Sequence, residues 1–320
     1  MARVTLAAYV GASPSEIAIT RNTSEGNNTV VNGLELGSGD EVVLWDQNHP
    51  TNNVSWDVRA RRWGFTVRRV TTPPGSEDAG ELMDSLVAAL GSRTRVLSFS
   101  HVSNASGVGL PARDLCQFAR ERGILTLVDG AQSFGALMLD LNDMGCDFFT
   151  ASSHKWFMGP KEAGLLYVRE ESQARLWPTH VGVGWEGAEN SGAQKFENMG
   201  QRDDAAVVSM ATAAAFHEAI GPATVQARVH ALASAVREGL SKAVPGVRFH
   251  TPLAPELCAG VIVFALPGVD HREVFQNVYE THHIGCAAMS GAFDGIRLSP
   301  HVYNTLDEVD RTVGVLAGYV

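Results

Sequence analysis

A recurring pair constrains this chain more than any other feature: a short, largely apolar run that closes on polar residues, then a stretch with helical periodicity. The runs are Val42–Trp45, Phe65–Val70, Arg95–Ser100, Leu125–Asp129, Phe148–Ser152 and Gly164–Val168, all in the first two-thirds of the sequence. Between them, Glu81–Leu90 sets Leu82, Leu86 and Leu90 on one helical face, and Arg113–Arg122 does the same with Leu115, Phe118 and Ala119. Runs too short for helices, separated by helices, predict an α/β fold with a mostly parallel sheet and crossover helices. Ligands of such sheets bind beyond the carboxyl ends of the strands. His101, Asn104, Asp129, Gln132, His154 and Lys155 all fall there.

From about Asp203 the texture changes. An Ala-rich helix over Ala205–Ile220 leads into a second one with Val225, Val229, Leu232, Val236 and Leu240 on one face. A strand (Ala259–Leu266) and helices over Arg272–Thr281 and Leu306–Leu316 follow. The expected organisation is a large domain over 1–203 and a smaller C-terminal α+β domain over 204–320 that includes the linking helix, a division natural for 320 residues. A net charge of -10 argues against a nucleic-acid partner, which would need a basic face. Cys116, Cys146, Cys258 and Cys286 are far apart and form no CxxC pair, so neither a zinc site nor a disulfide framework is expected. No stretch approaches the roughly 18 apolar residues of a membrane span, and no signal-peptide pattern opens the chain. A cytoplasmic protein with no membrane and no metal is the expectation.

Two segments carry chemistry. Val128-Asp129-Gly130-Ala131-Gln132 ends one strand, and Ser152-Ser153-His154-Lys155 ends the next. A lysine in such a place is often just a solvated lysine, but the aspartate changes the weighing. A carboxylate buried at a strand end needs a cationic partner. Pyridoxal 5′-phosphate supplies one: its pyridine nitrogen wants a carboxylate, its phenolic oxygen a donor, and its aldehyde an amine. Asp129, Gln132 and Lys155 offer these on successive strand ends.

With those residues in view, the chain resembles the class V aminotransferase family of fold-type I pyridoxal phosphate enzymes. It is most similar there to isopenicillin N epimerase-like proteins, and more distantly to cysteine desulfurases and selenocysteine lyases. The matching motifs run from Thr20-Arg21-Asn22-Thr23-Ser24-Glu25-Gly26 to Ile296-Arg297-Leu298-Ser299-Pro300-His301 and cover nearly the whole chain. The resemblance implies a seven-stranded-type sheet that binds the cofactor, with Lys155 as its Schiff-base amine. It implies phosphate contacts from Thr23 and Ser24 at a helix start, where a plain N-cap is the simpler reading. Ser152 and His154 would add to them. His49 would stack on the cofactor ring, although a loop histidine is commonly only solvated. Asn104 would lie near the phenolic oxygen and the substrate carboxylate, and Arg297 would take that carboxylate in a bidentate grip. His101 is open between a role beside Asn104 and a satisfied core histidine.

Three departures qualify the likeness. Cys286 is the one cysteine near the place where desulfurases carry their nucleophile, yet it reads as a small apolar thiol. Gln201 stands where relatives usually place a threonine that reaches the neighbouring subunit's phosphate; glutamine can still donate, so Gln201 is expected to bind the cofactor there and sites to be shared in a homodimer. The customary N-terminal segment is expected to be missing. The function implied is an enzyme acting at Cα of an amino acid through an external aldimine, epimerase-like. A C–S lyase, desulfurase or aminotransferase is the alternative, and a non-catalytic binding protein the reading of another class.

Overall fold

The computed structural model describes residues 2–320. In chain order, α1 (Ala2–Tyr9) precedes β1 (Ile17–Thr20) and α2 (Thr23–Gly33); β2 (Glu41–Trp45), α3 (Pro50–Trp63) and β3 (Thr66–Val70) follow. Then come α4 (Ala79–Val87), β4 (Thr94–Ser100), α5 (Ala112–Arg120), β5 (Leu125–Asp129), the one-turn α6 (Leu141–Met144), β6 (Phe148–Ser152) and β7 (Gly164–Val168). After the one-turn α7 (Trp185–Ala188), the long α8 (Asp204–Ile220) and α9 (Pro222–Ala243) lead to β8 (Arg248–Phe249), β9 (Ile262–Ala265), α10 (His271–His282), β10 (Ala287–Met289), β11 (Gly295–Leu298) and α11 (Leu306–Ala317).

β1 to β7 form one seven-stranded sheet in the order β1-β7-β6-β5-β4-β2-β3. β3, β2, β4, β5 and β6 are parallel, while β7 is antiparallel to both β6 and β1. All six runs read from the sequence are strands of this sheet; β1 is an addition that the sequence reading did not mark. The alternation of side chains across a strand divides the core. Val43, Leu97, Val128, Phe149 and Leu165 pack on one face with Leu6, Leu82, Leu115 and Met210 from α1, α4, α5 and α8. Val42, Val96, Leu127, Phe148 and Leu166 pack on the other with Val30 of α2 and Trp56 of α3.

β8 to β11 form an antiparallel four-stranded sheet in the order β10-β11-β9-β8. Its face is closed by Leu232 and Val236 of α9, Val274 of α10 and Val313 of α11. The linking helix α8 buries Ala206, Met210, Ala213 and Ala214 in the core of the larger sheet. Among the described residues no helix is long and apolar enough to cross a membrane.

Candidate active site

Topology alone gathers the chemistry. Because β2, β4, β5 and β6 are parallel and β1 runs in the same sense as β6, their carboxyl ends share one edge of the sheet. β5 is the central strand, and its last residue, Asp129, pairs in register with Ser100 of β4 and Thr150 of β6. The edge therefore collects Thr23 after β1, His49 after β2, His101 and Asn104 after β4, Gln132 after β5, and Lys155 after β6.

Asp129 is 4 % exposed. Its Oδ2 accepts from Asn27 Nδ2 at 3.0 Å and its Oδ1 from the backbone N–H of Ala131 at 3.0 Å. Thr150 Oγ1 in turn donates to Asn27 Oδ1 at 2.7 Å, which fixes the amide with its NH₂ toward the carboxylate. Asn27 was missed in the sequence. It lies one helical turn after Thr23 on α2, so the spacing that puts both on one face was there to be read.

Lys155 is half-buried, and its Nζ makes no hydrogen bond among the described residues. Burial lowers its pKa from the ordinary lysine value; Asp129 opposes that shift and Arg297 adds to it. His49 feels the same three groups. Partial burial lowers its pKa most, Asp129 raises it, and Lys155 and Arg297 lower it. Those shared influences place Lys155, Asp129, Arg297 and His49 in one electrostatic neighbourhood. His49 also caps α3: the Thr51 N–H donates to its Nδ1 at 3.2 Å, and Thr51 Oγ1 lies 2.5 Å from the same atom.

Arg297 comes from β11 of the smaller sheet. Its Nη1 donates to the backbone carbonyl of Asn104 at 3.0 Å, and the rest of the guanidinium has no protein acceptor among the described residues. The Asn104 loop is itself pinned. Ser103 Oγ donates to the Gln47 carbonyl at 3.1 Å, Ser106 Oγ to Gln47 Oε1 at 2.5 Å, and Thr251 Oγ1 to the Ser106 carbonyl at 2.5 Å. Gln47 follows β2 of the larger sheet and Thr251 follows β8 of the smaller one, so the loop is tied to both. Gly107 allows the approach, at φ +79 with the Val261 carbonyl 2.4 Å from where a Cβ would stand.

The N-cap of α2 is Asn22, whose side chain accepts from the Glu25 N–H at 2.9 Å. Thr23 and Ser24 are thus the first two helical residues rather than the cap. The Thr23 N–H donates to Ser152 Oγ at 2.8 Å, and the two hydroxyls are also 2.8 Å apart. Ser24 is half-buried beside them. His154 follows β6 but is exposed, with a pKa lowered by desolvation first and then by Lys155 and Lys161. Gln201 is exposed in the 199–203 segment, and among the described residues its side chain makes no hydrogen bond to the others.

His101 is not a satisfied core histidine. Its backbone N–H donates to the Asp129 carbonyl at 2.9 Å, while Nδ1 is buried without a partner. Burial pushes its pKa down to about 4, so the ring is neutral. Cys286 is half-buried against the small-sheet core, and burial raises its thiol.

Known proteins give this geometry a context. A family model described as Aminotransferase class-V matches residues 1–312. Isopenicillin N epimerase of Streptomyces clavuligerus is 34% identical over 98% of this chain and 83% of its own length. Probable cysteine desulfurase 2 of Mycobacterium leprae (strain TN) is 35% identical over 98% of this chain and 79% of its own. Among solved structures, a C-DES mutant with glycine covalently linked to the PLP cofactor superposes with a TM-score of 0.90 at 26% identity, covering 100% of this chain and 85% of that one. The complex of the cystine C–S lyase C-DES with its product cysteine persulfide gives 0.89 at 27% identity, covering 99% and 85%.

Proposed function

The chain belongs to the class V aminotransferase family, and from that premise we propose that it is a pyridoxal phosphate-dependent enzyme acting at Cα of an amino acid, epimerase-like in its reaction. The observation that carries the reading is the convergence of Lys155, Asp129 and Arg297 at the carboxyl edge of the sheet, one amine, one carboxylate and one guanidinium in a shared field.

The donor set fits the cofactor. Asp129 is a buried carboxylate with two neutral donors and no ion pair among the described residues, a setting that a protonated pyridine nitrogen completes. The first turn of α2, with the Thr23, Ser24 and Ser152 hydroxyls, is suited to a phosphate. Lys155, with its lowered pKa, reaches the neutral, nucleophilic form at lower pH than an ordinary lysine. When bound, the cofactor supplies an electron sink for charge developing at Cα. Arg297 holds the substrate carboxylate through the part of the guanidinium that its bond to the Asn104 carbonyl leaves open, with the Asn104 carboxamide as a further donor. Lys155 takes the Cα proton as general base. His49 is exposed and feels the same charges, and its role is to stack on the cofactor ring; His154 and Gln201 stand as outer contacts, the latter toward a second subunit.

A second reading, C–S bond cleavage, is favoured by the structural likeness to the cystine C–S lyase. Incubation with a panel of amino acids, followed by chiral chromatography and assays for keto acids and persulfide, separates the two. Racemised substrate supports the epimerase-like reading, persulfide or keto acid replaces it, and no turnover on a broad panel favours a non-catalytic protein. Lys155→Ala is expected to lose the borohydride-reducible visible absorbance and about 10³-fold or more of turnover. Retention of that absorbance would remove Lys155 from its role.

We also propose a cytoplasmic homodimer and keep the division into 1–203 and 204–320, with α8 as the link. The outer side of α3 supports the dimer: Val54, Val58 and Trp63 are 54%, 51% and 50% exposed, and Trp177 is 56% exposed. Sedimentation equilibrium tests it, and a monomer at micromolar concentration would reject it.

A further inference from the structure

Trp156 follows Lys155 directly and is 3 % exposed, and the sequence gives it no role. Three contacts hold its ring. Nε1 donates to Gln132 Oε1 at 2.9 Å. One face lies on the imidazole of His301, with centroids 5.2 Å apart and planes at 17°. Its far edge lies over Gly260, where a Cβ would stand 2.2 Å from the ring carbon Cη2. An indole N–H can only donate. The Gln132 atom that faces it is therefore the oxygen, and the NH₂ is turned the other way. Among the described residues nothing accepts from that NH₂, and it is not one of the buried orphans.

We propose that Trp156 is a positioning residue: its indole N–H locks the Gln132 carboxamide so that the NH₂ is presented to the cofactor's phenolic oxygen. The proposal rests on the reading above, in which Gln132 faces that oxygen. An unrestrained carboxamide can turn over and offer its oxygen, which would set two acceptors against each other. The indole is in no position to release it, held by His301 on its face and the Gly260 backbone at its edge. The stack continues from His301 to Tyr303, with centroids 4.6 Å apart and planes at 11°. The residue that orients the donor is thereby packed against the arm that follows Arg297, so the ring site and the carboxylate site share one support.

The test is a pH titration of the visible absorption band in four pyridoxal phosphate-loaded proteins: wild type, Trp156→Phe, Gln132→Ala and the double variant. Phenylalanine keeps a stacking face and removes the N–H. A donor at the phenolic oxygen draws negative charge away from the neighbouring proton, so loss of the donor raises the midpoint. Trp156→Phe is expected to raise it by about half to one pH unit, the equivalent of one neutral hydrogen bond. Gln132→Ala is expected to raise it at least as far. The double variant is expected to match Gln132→Ala alone, since no amide is left to orient. A shift in Gln132→Ala with none in Trp156→Phe, or shifts that add in the double variant, overturns the positioning role. An unmoved midpoint in Gln132→Ala instead rejects the placement of Gln132 and the proposal with it. If Trp156→Phe does not fold, Trp156→Met carries the test, because it still fills the space between His301 and Gly260 and likewise has no N–H. A raised midpoint there supports the proposal, and an unchanged one ends it.

Discussion

Asp129 is 4 % exposed and has Asn27 and the Ala131 N–H as its donors. Both donors are neutral, so the carboxylate is kept available for a cation that arrives with the cofactor. Asp129→Asn is expected to retain bound cofactor and lose about a hundredfold or more of turnover, a factor that corresponds to roughly 2.7 kcal/mol of barrier. Steady-state kinetics on the spectrally loaded variant checks this, and wild-type turnover would contradict it. Cys286 presents the opposite case. A persulfide-forming nucleophile needs a lowered pKa and freedom to move, whereas burial raises this thiol and its side chain packs against the small-sheet core. Cys286→Ser is expected to change activity by less than about twofold, the size of a few tenths of a kcal/mol. Mass spectrometry after incubation with L-cysteine is expected to find no stoichiometric sulfur adduct on the wild-type protein.

The element that does most for the site is α2, a short helix whose start meets β6 and whose second turn meets β5. Its Asn22 cap satisfies the Glu25 N–H, which keeps the first turn wound and its remaining donors aimed at the cleft. Asn22→Ala is expected to cost about 1 kcal/mol of unfolding free energy and to weaken cofactor retention, measured by urea titration and by dialysis. α2 also shows where the sequence could be read and where it could not. Strands buried on both faces leave nearly continuous apolar runs, so β2 and β4 to β7 were legible; β3 is a largely exposed edge strand, marked only by Phe65, Val67 and Val70 around its arginines. β10, only Ala287–Met289, has no β-branched residue, and β11 opens on Gly295. Such strands exist because their partners hold them, not because of local preference. Asp129 and Lys155 were legible for the same reason as their strands, as polar ends of apolar runs. The bonds from Asn27 to Asp129 and from Trp156 to Gln132 join elements that meet only in the folded sheet, and periodicity along the chain does not report them.

At the scale of the whole molecule, desolvation lowers the pKa of several histidines. His101 is driven down to about 4, and His217, His230, His250 and His301 are also lowered, each chiefly by desolvation. Between pH 4 and the ordinary histidine value of about 6.5 the unfolded chain binds more of these protons than the folded one, so stability rises with pH across that window. It is complete above the window and is lost as pH falls through it, His101 alone contributing up to roughly 3 kcal/mol. Urea unfolding of the cofactor-free protein is expected to show this acid loss, and His101→Phe to reduce it; an equal loss in both would contradict the assignment. The pairing of β1 with β7 has a consequence of another kind. Ile17 lies against Tyr167, and the Thr23–Ser152 contact closes a loop of 129 residues. Contacts of such separation form late, after the loop entropy has been met. During synthesis the phosphate end of the cleft thus stays open until Gly164–Val168 has left the ribosome, and Arg297 must wait longer still, for the smaller sheet. A nascent chain can shelter Asp129 early, but it is ready for its cofactor only once Gly295–Leu298 has followed.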